Sequence, residues 1–270
     1  SFAFETRGSL VRIGPLIAVA SHRVKRMCTV EWKNAPSRWR RYNHGMNQLG
    51  MFAKYWEPGR VKTRLAAAIG DQAASSLYRR FVLTLLQRFA DVGQRRVLAY
   101  TPAERRTEFE SLAADGWRLA AQADGDLGQR MQDYFAAAFR RGATRVVLIG
   151  SDSPNLPVDY VTDAFQQLER YPVVLGPADD GGYYLVGAAG SVPPIFAGIP
   201  WSSPQVWSQT VSRLREANCP CGVLPAWYDV DDLASLRRID RDLANQEPLD
   251  EPLRCLREDV MERITATNHD

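Results

Sequence analysis

From Met46 onward the chain alternates short apolar runs with longer stretches in which apolar residues recur every three or four positions. Residues 48–53, 96–100, 145–149, 173–176 and 183–186 read as strands. They are short and mostly apolar, and most are rich in β-branched or aromatic residues, as strands buried on both faces tend to be. Residues 71–92 carry Leu77, Phe81, Leu85 and Phe89 at spacings of four, and 127–141 carry Met131, Phe135 and Ala138. Both predict helices, as do 158–169, 204–217 and 232–243. Alternating strands and helices predict an α/β fold, a mainly parallel sheet with helices on both faces. Functional loops in such sheets gather at the carboxyl ends of the strands.

Residues 1–45 lack both periodicities and mix Arg, Trp, Pro and Ser. They read as an N-terminal extension, disordered or translated from upstream sequence. The folded domain is expected over 46–245, with a C-terminal helix or tail over 246–270. The extension also changes the meaning of the total charge. It holds nine Lys/Arg against Glu5 and Glu31, a net +7, so 46–270 carries −4 of the total +3. A mildly acidic domain argues against a nucleic-acid surface. Phosphate binding must therefore come from a few placed cations. No apolar run is long enough to span a membrane. His22, His44 and His269 all sit in the terminal segments, so a core Ser-His-Asp triad or zinc site is not expected. Cys219-Pro-Cys221 is too tight for the usual zinc spacing, and reduced thiols suit a cytoplasmic location.

The chemistry is left to carboxylates and cations placed after strands. The first strand runs into Lys54, then a Pro58-Gly59 turn, then Lys62 and Arg64 ahead of a helix. Exposed backbone N–H groups around Gly59, a helix start and three cations make a candidate phosphate cradle. A solvated basic turn has the same sequence. After 145–149 comes Gly150-Ser151-Asp152-Ser153, which places Asp152 to hold Mg²⁺ or Mn²⁺ or simply to cap the next helix. Asp179-Asp180-Gly181-Gly182 pairs carboxylates with glycines that let a ligand approach the backbone, or forms an acidic hairpin turn. In Asp229-Val230-Asp231-Asp232, Asp229 or Asp231 is placed to reach an ion, and Asp232 to cap a helix. Gly125 and Asp126 open the helix that carries Arg130, with a cap or a ribose contact as alternatives for Asp126. Trp201-Ser202-Ser203 reads as an acceptor-side loop or a helix cap.

At 52–65, 125–131, 150–157, 180–185 and 229–231 the chain resembles, in order, the motifs of bacterial GT-A glycosyltransferase-like proteins, often described as radical-SAM/selenodomain-associated transferases. Trp56 stands where that pattern has its first proline. The family is similar in turn to 2-phospho-L-lactate guanylyltransferase and the molybdenum-cofactor guanylyltransferases. The resemblance implies a GT-A fold and a nucleotide or nucleotide-sugar substrate with a small-molecule acceptor. It implies phosphate binding by Lys54, Lys62 and Arg64, and a nucleotide pocket lined by Gly125, Asp126 and Arg130. It implies a divalent cation, Mg²⁺ or Mn²⁺, on Asp152, with Asp180 and Asp231 as further ligands. The catalytic set expected is Lys62, Asp152 and Asp180; Gly59, Gly181 and Gly182 complete the phosphate-binding one. The expected activity is metal-dependent glycosyl transfer from a nucleotide-activated donor. The alternatives are nucleotidyl transfer releasing pyrophosphate, and a non-catalytic nucleotide-binding module. All of these expect Asp152 and Lys62 to meet at one mouth of the sheet.

Overall fold

The computed structural model describes residues 45–113, 116–201, 203–246 and 248–267. The extension expected over 1–45 lies, apart from Gly45, outside them. Parallel strands need long crossovers, and here helices provide most of them. The strands are β1 (Met46–Lys54), β2 (Arg95–Thr101), β3 (Trp117–Ala121), β4 (Ala143–Ile149), β5 (Val173–Pro177), β6 (Tyr183–Ala189) and β7 (Cys221–Val223). The helices are α1 (Thr63–Ile69), α2 (Asp71–Arg88), α3 (Arg106–Leu112), α4 (Leu127–Arg140), α5 (Val158–Gln167), α6 (Val206–Glu216), α7 (Leu233–Ala244) and α8 (Glu251–Thr267). The sheet order is β3-β2-β1-β4-β6-β5-β7.

Every pairing is parallel except those of β6, which runs antiparallel to both β4 and β5. Residues 178–182 therefore form the turn of a β5–β6 hairpin. The apolar runs could not give this direction, because strands buried on both faces look the same either way. β3 and β7 stand outside the five runs read as strands; β7 has only three residues. The helix read over 71–92 ends at Arg88.

The sheet separates two apolar cores. Leu49, Met51 and Ala53 of β1 pack with Phe81, Leu85 and Phe89 on one face. Phe52 faces the other, with Met131 and Phe135 of α4. Each fully buried side chain of this size contributes about 1.5–3 kcal/mol. Gly50 is needed here: a Cβ at that position would stand 2.1 Å from Tyr134 Oη. Its absence lets the tyrosine lie against β1 and receive a hydrogen bond from Gln48 Nε2 at 2.9 Å. α8 packs against α2 and α7, burying Leu253, Leu256 and Val260. No helix among the described residues is long and apolar enough to cross a membrane.

Candidate functional site

The loops that follow β1, β4 and β5, and the 229–232 segment beyond β7, open at one edge of the sheet. There they surround a cavity of about 690 Å³. Its polar floor is set by the start of α1. Lys62 is the N-cap residue and adopts the left-handed conformation, φ +49°. That conformation costs a non-glycine residue on the order of 1 kcal/mol and persists where surrounding contacts hold it. Here the side chain is 3% exposed and ends between two carboxylates. Nζ donates to Asp152 Oδ1 at 2.5 Å and to Asp231 Oδ1 at 2.9 Å. The Tyr78 and Phe81 rings lie 5.6 and 5.5 Å from the ammonium. Burial opposes the charge and is the largest single influence. Asp152 and Asp231 together outweigh it and hold the Lys62 pKa above its ordinary value. Arg64 Nη2 reaches Asp231 Oδ2 at 2.6 Å from the open side of the cavity.

The two acidic loops are joined backbone to backbone and side chain to side chain. Val230 N donates to Asp152 O at 2.8 Å, and Ser153 Oγ to Asp229 Oδ1 at 2.6 Å. Asn155 Nδ2 donates to Tyr228 Oη at 2.8 Å. On the far side Ser151 Oγ is 2.7 Å from Tyr78 Oη, whose pKa burial and the Asp152 charge push up to about 12. Asp229 is the other perturbed group. Burial first, then the charge of Asp152, raises it from 3.8 to about 7. Burial disfavours the charged form of this carboxyl, and the nearby Asp152 charge adds to the effect.

The other expected site residues divide. Asp180 lines the cavity, but its Oδ1 accepts from Gly182 N at 2.9 Å within the hairpin turn. The bare side of Gly181 meets Pro204: a Cβ there would stand 2.5 Å from Pro204 O. That glycine thus serves packing against the approach to α6. Gly182 lines the cavity. Lys54 donates from Nζ to Arg60 O at 2.8 Å, closing its own loop across the Pro58-Gly59 turn. Asp126 caps α4 by accepting from Gln129 N at 2.9 Å, and Asp232 caps α7 in a capping box with Ser235. Arg130 donates to Gly125 O at 3.0 Å and faces a separate cavity of about 320 Å³ beneath α4. From that helix Leu127 and Met131 are the ones that line the larger cavity. They share an apolar wall with Phe52 and with Trp201 of the segment read as an acceptor-side loop or a cap; Phe52, Leu127 and Met131 themselves read in sequence as core, by their helical or strand spacing.

Carboxylates are hard donors suited to Mg²⁺ or Mn²⁺. Among the described residues no three His, Cys, Asp or Glu stand together in a way that would hold a metal by themselves. The arrangement fits an ion that takes one or two carboxylates, Asp152 first, and completes its shell with phosphate oxygens.

The family described as an uncharacterized protein conserved in bacteria (DUF2064) matches residues 84–203. Among curated proteins none matches. The crystal structure of a candidate nucleotide-diphospho-sugar transferase from Desulfovibrio desulfuricans G20 is 36% identical. It superposes with a TM-score of 0.76 over 82% of this chain and 98% of that one. A nucleotidyl transferase from Methanothermobacter (15% identity, TM-score 0.52, 75% of this chain and 100% of that one) shares the fold. So does a cytidylyltransferase from Leptospira borgpetersenii (13%, 0.50, 83% and 97%). With that identity over nearly the whole of the Desulfovibrio protein, the chain belongs to its family, as a transferase built on the nucleotide-diphospho-sugar transferase fold.

Proposed function

We propose that the chain transfers a glycosyl group from a nucleoside diphosphate sugar to a small acceptor in the 690 Å³ cavity. One observation carries this choice: how Lys54, Lys62 and Arg64 of the 54–64 loop are used. Lys54 is engaged by Arg60 O, and Lys62 is buried between Asp152 and Asp231. Arg64, its side chain 68% exposed, is the cation that lines the cavity. A triphosphate has more charge to neutralise than one arginine can meet. A diphosphate shared between Arg64 and an ion on Asp152 is the better match.

Arg64 orients the diphosphate. Lys62 holds Asp152 and Asp231 together so that both keep their place as phosphate charge arrives. Asp152, with Asp231 beside it, would hold a divalent ion, which supplies charge neutralisation on the leaving diphosphate. The wall of Leu127, Met131 and Trp201 excludes water from the acceptor side. The motif likeness to guanylyltransferases keeps a second reading, nucleotidyl transfer with release of pyrophosphate.

The test is to supply Mg²⁺ or Mn²⁺ with labelled nucleoside diphosphate sugars and, separately, nucleoside triphosphates, and to score the product released. Nucleoside diphosphate supports glycosyl transfer; pyrophosphate replaces it with nucleotidyl transfer; neither product with any pair removes both. Asp152→Asn is expected to lower kcat/KM about thirtyfold, a loss of roughly 2 kcal/mol. Unchanged activity in that variant would remove this carboxylate from the catalytic set.

A further inference from the structure

The cavity described above is lined by two unlike sets of side chains, and their charges say which acceptors can enter. Four carboxylates line it: Asp152, Asp180, Asp229 and Asp231. Among the described residues Arg64 is the one cation lining it, and Arg64 already meets Asp231 at 2.6 Å. Lys62 is turned away beneath Asp152 and Asp231, 3% exposed. A bound donor adds further negative charge through its phosphates. Arg64 and an ion on Asp152 would be taken up by the donor's diphosphate, so an acceptor carrying its own phosphate or carboxylate would meet the remaining carboxylates, and like charges at such distances oppose binding.

The second set is apolar and aromatic. Phe52 of β1, Leu127 and Met131 of α4, Leu148 of β4, and Trp201 and Val206 at the approach to α6 face the same space. Leu127 is 42% exposed, unusual for a residue of its kind in this chain. The indole Nε1 of Trp201 and the hydroxyl of Ser203 are buried without a hydrogen-bond partner among the described residues, and both residues line the cavity. Such a wall suits an apolar or aromatic body on the hydroxyl compound that accepts the sugar.

Resting on the transferase function proposed above, we infer that the acceptor is an uncharged or cationic hydroxyl compound with an apolar or aromatic body, and that anionic acceptors are excluded by the carboxylates. This separates the site from one built for a phosphorylated or carboxylated acceptor, which would need a cation on the apolar wall.

Three probes with one indole ring test it by calorimetric titration of the full chain with Mg²⁺ present: indole-3-ethanol, tryptamine and indole-3-acetate. The alcohol and the amine are expected to bind, and the acid to bind about tenfold more weakly or worse. Trp201→Ala is expected to weaken the alcohol about fivefold or more. Leu127→Gln, at an exposed position that folding tolerates, should weaken it about threefold. Asp180→Asn should narrow the gap between acid and alcohol. Equal binding of acid and alcohol overturns the inference, as does failure of the alcohol to bind. A thermal-shift screen of nucleoside diphosphates on the same samples reports the donor site separately. If no diphosphate shifts melting while the probes still sort by charge, the donor reading fails and the acceptor selectivity stands.

Discussion

Lys54 and Lys62 lie on one loop, eight residues apart, and end in opposite situations. Lys62 is buried on the cavity floor, where two carboxylates and two aromatic rings surround its ammonium. Lys54 sits on the outer rim and spends its ammonium on the carbonyl of Arg60. The acidic clusters repeat the contrast. Asp229 is buried, bonded to Ser153 and raised to about 7, whereas Asp180 is exposed and bonded within its own turn. Residue type and nearness to a strand end are the same on floor and rim. Burial differs, and burial decides whether a charge couples to its neighbours or to water.

If floor and rim differ as described, substitutions should rank by depth. Lys62→Met removes the counter-charge from Asp152 and Asp231. Because those partners are 45% and 31% exposed, the loss is expected at the low end of buried-pair values, about 3 kcal/mol. Urea denaturation at pH 7 checks it; a loss no larger than that of a surface lysine would erase the distinction. The sign with pH is fixed as well. Lys62 is raised in the folded state, so its contribution is present below its unfolded value of 10.5 and is lost only as pH climbs through the higher folded one.

Asp229 gives the next effect. Its folded pKa of about 7 stands above the 3.8 of the unfolded chain. Between those values the unfolded chain has released this proton and the folded chain keeps it. Stability contributed at this site therefore falls as pH rises from about 4 to 7, then levels off. Asp229→Asn should flatten that slope and raise stability at pH 8 by on the order of 2 kcal/mol. A pH series of melting curves on the two proteins decides it, and parallel curves would count against the burial of this carboxylate.

Arg64→Ala comes third. The exposed guanidinium is expected to be worth about 1 kcal/mol in donor binding, seen as a severalfold higher KM that shrinks in salt, with little change in melting temperature. Lys54→Ala should do least. Its bond to Arg60 O is exposed, and loss within about 0.5 kcal/mol of stability, with KM unchanged, is the expected result. A Lys54 effect exceeding that of Arg64 would return Lys54 to the phosphate site.

The likeness of the sequence motifs reaches the floor and part of the wall, since Phe52, Leu127 and Met131 lie within the matched segments 52–65 and 125–131. Asp152, Asp231, Lys62 and Arg64 were visible as charged residues next to turns that follow or precede regular elements, where few packing reasons place them. Asp229 was visible only as one of three aspartates. What distinguishes it, the hydroxyl of Ser153 and the charge of Asp152, comes from a loop some seventy residues earlier in the chain. That Phe52, Leu127 and Met131 line a cavity is not legible, since an apolar residue lining a cavity and one filling a core follow the same periodicity, whereas Trp201 stands in the segment read as an acceptor-side loop or a cap. Gly181 misdirected the expectation in the same way: an open glycine face suits a ligand or a neighbouring backbone, and here Pro204 occupies it.

Local chemistry was enough to specify the strand and helix alternation, the helix caps at Asp126 and Asp232, and the placing of charged turns at strand ends. Those follow from side-chain period and short-range hydrogen bonding, which extend over a few residues. The reversed direction of β6, the burial of Lys62 and the gathering of acidic and apolar side chains around one cavity arose from contacts between segments distant in the chain. Their energies depend on desolvation and on which charges are brought within a few ångströms, quantities that have no value until the chain has closed around them.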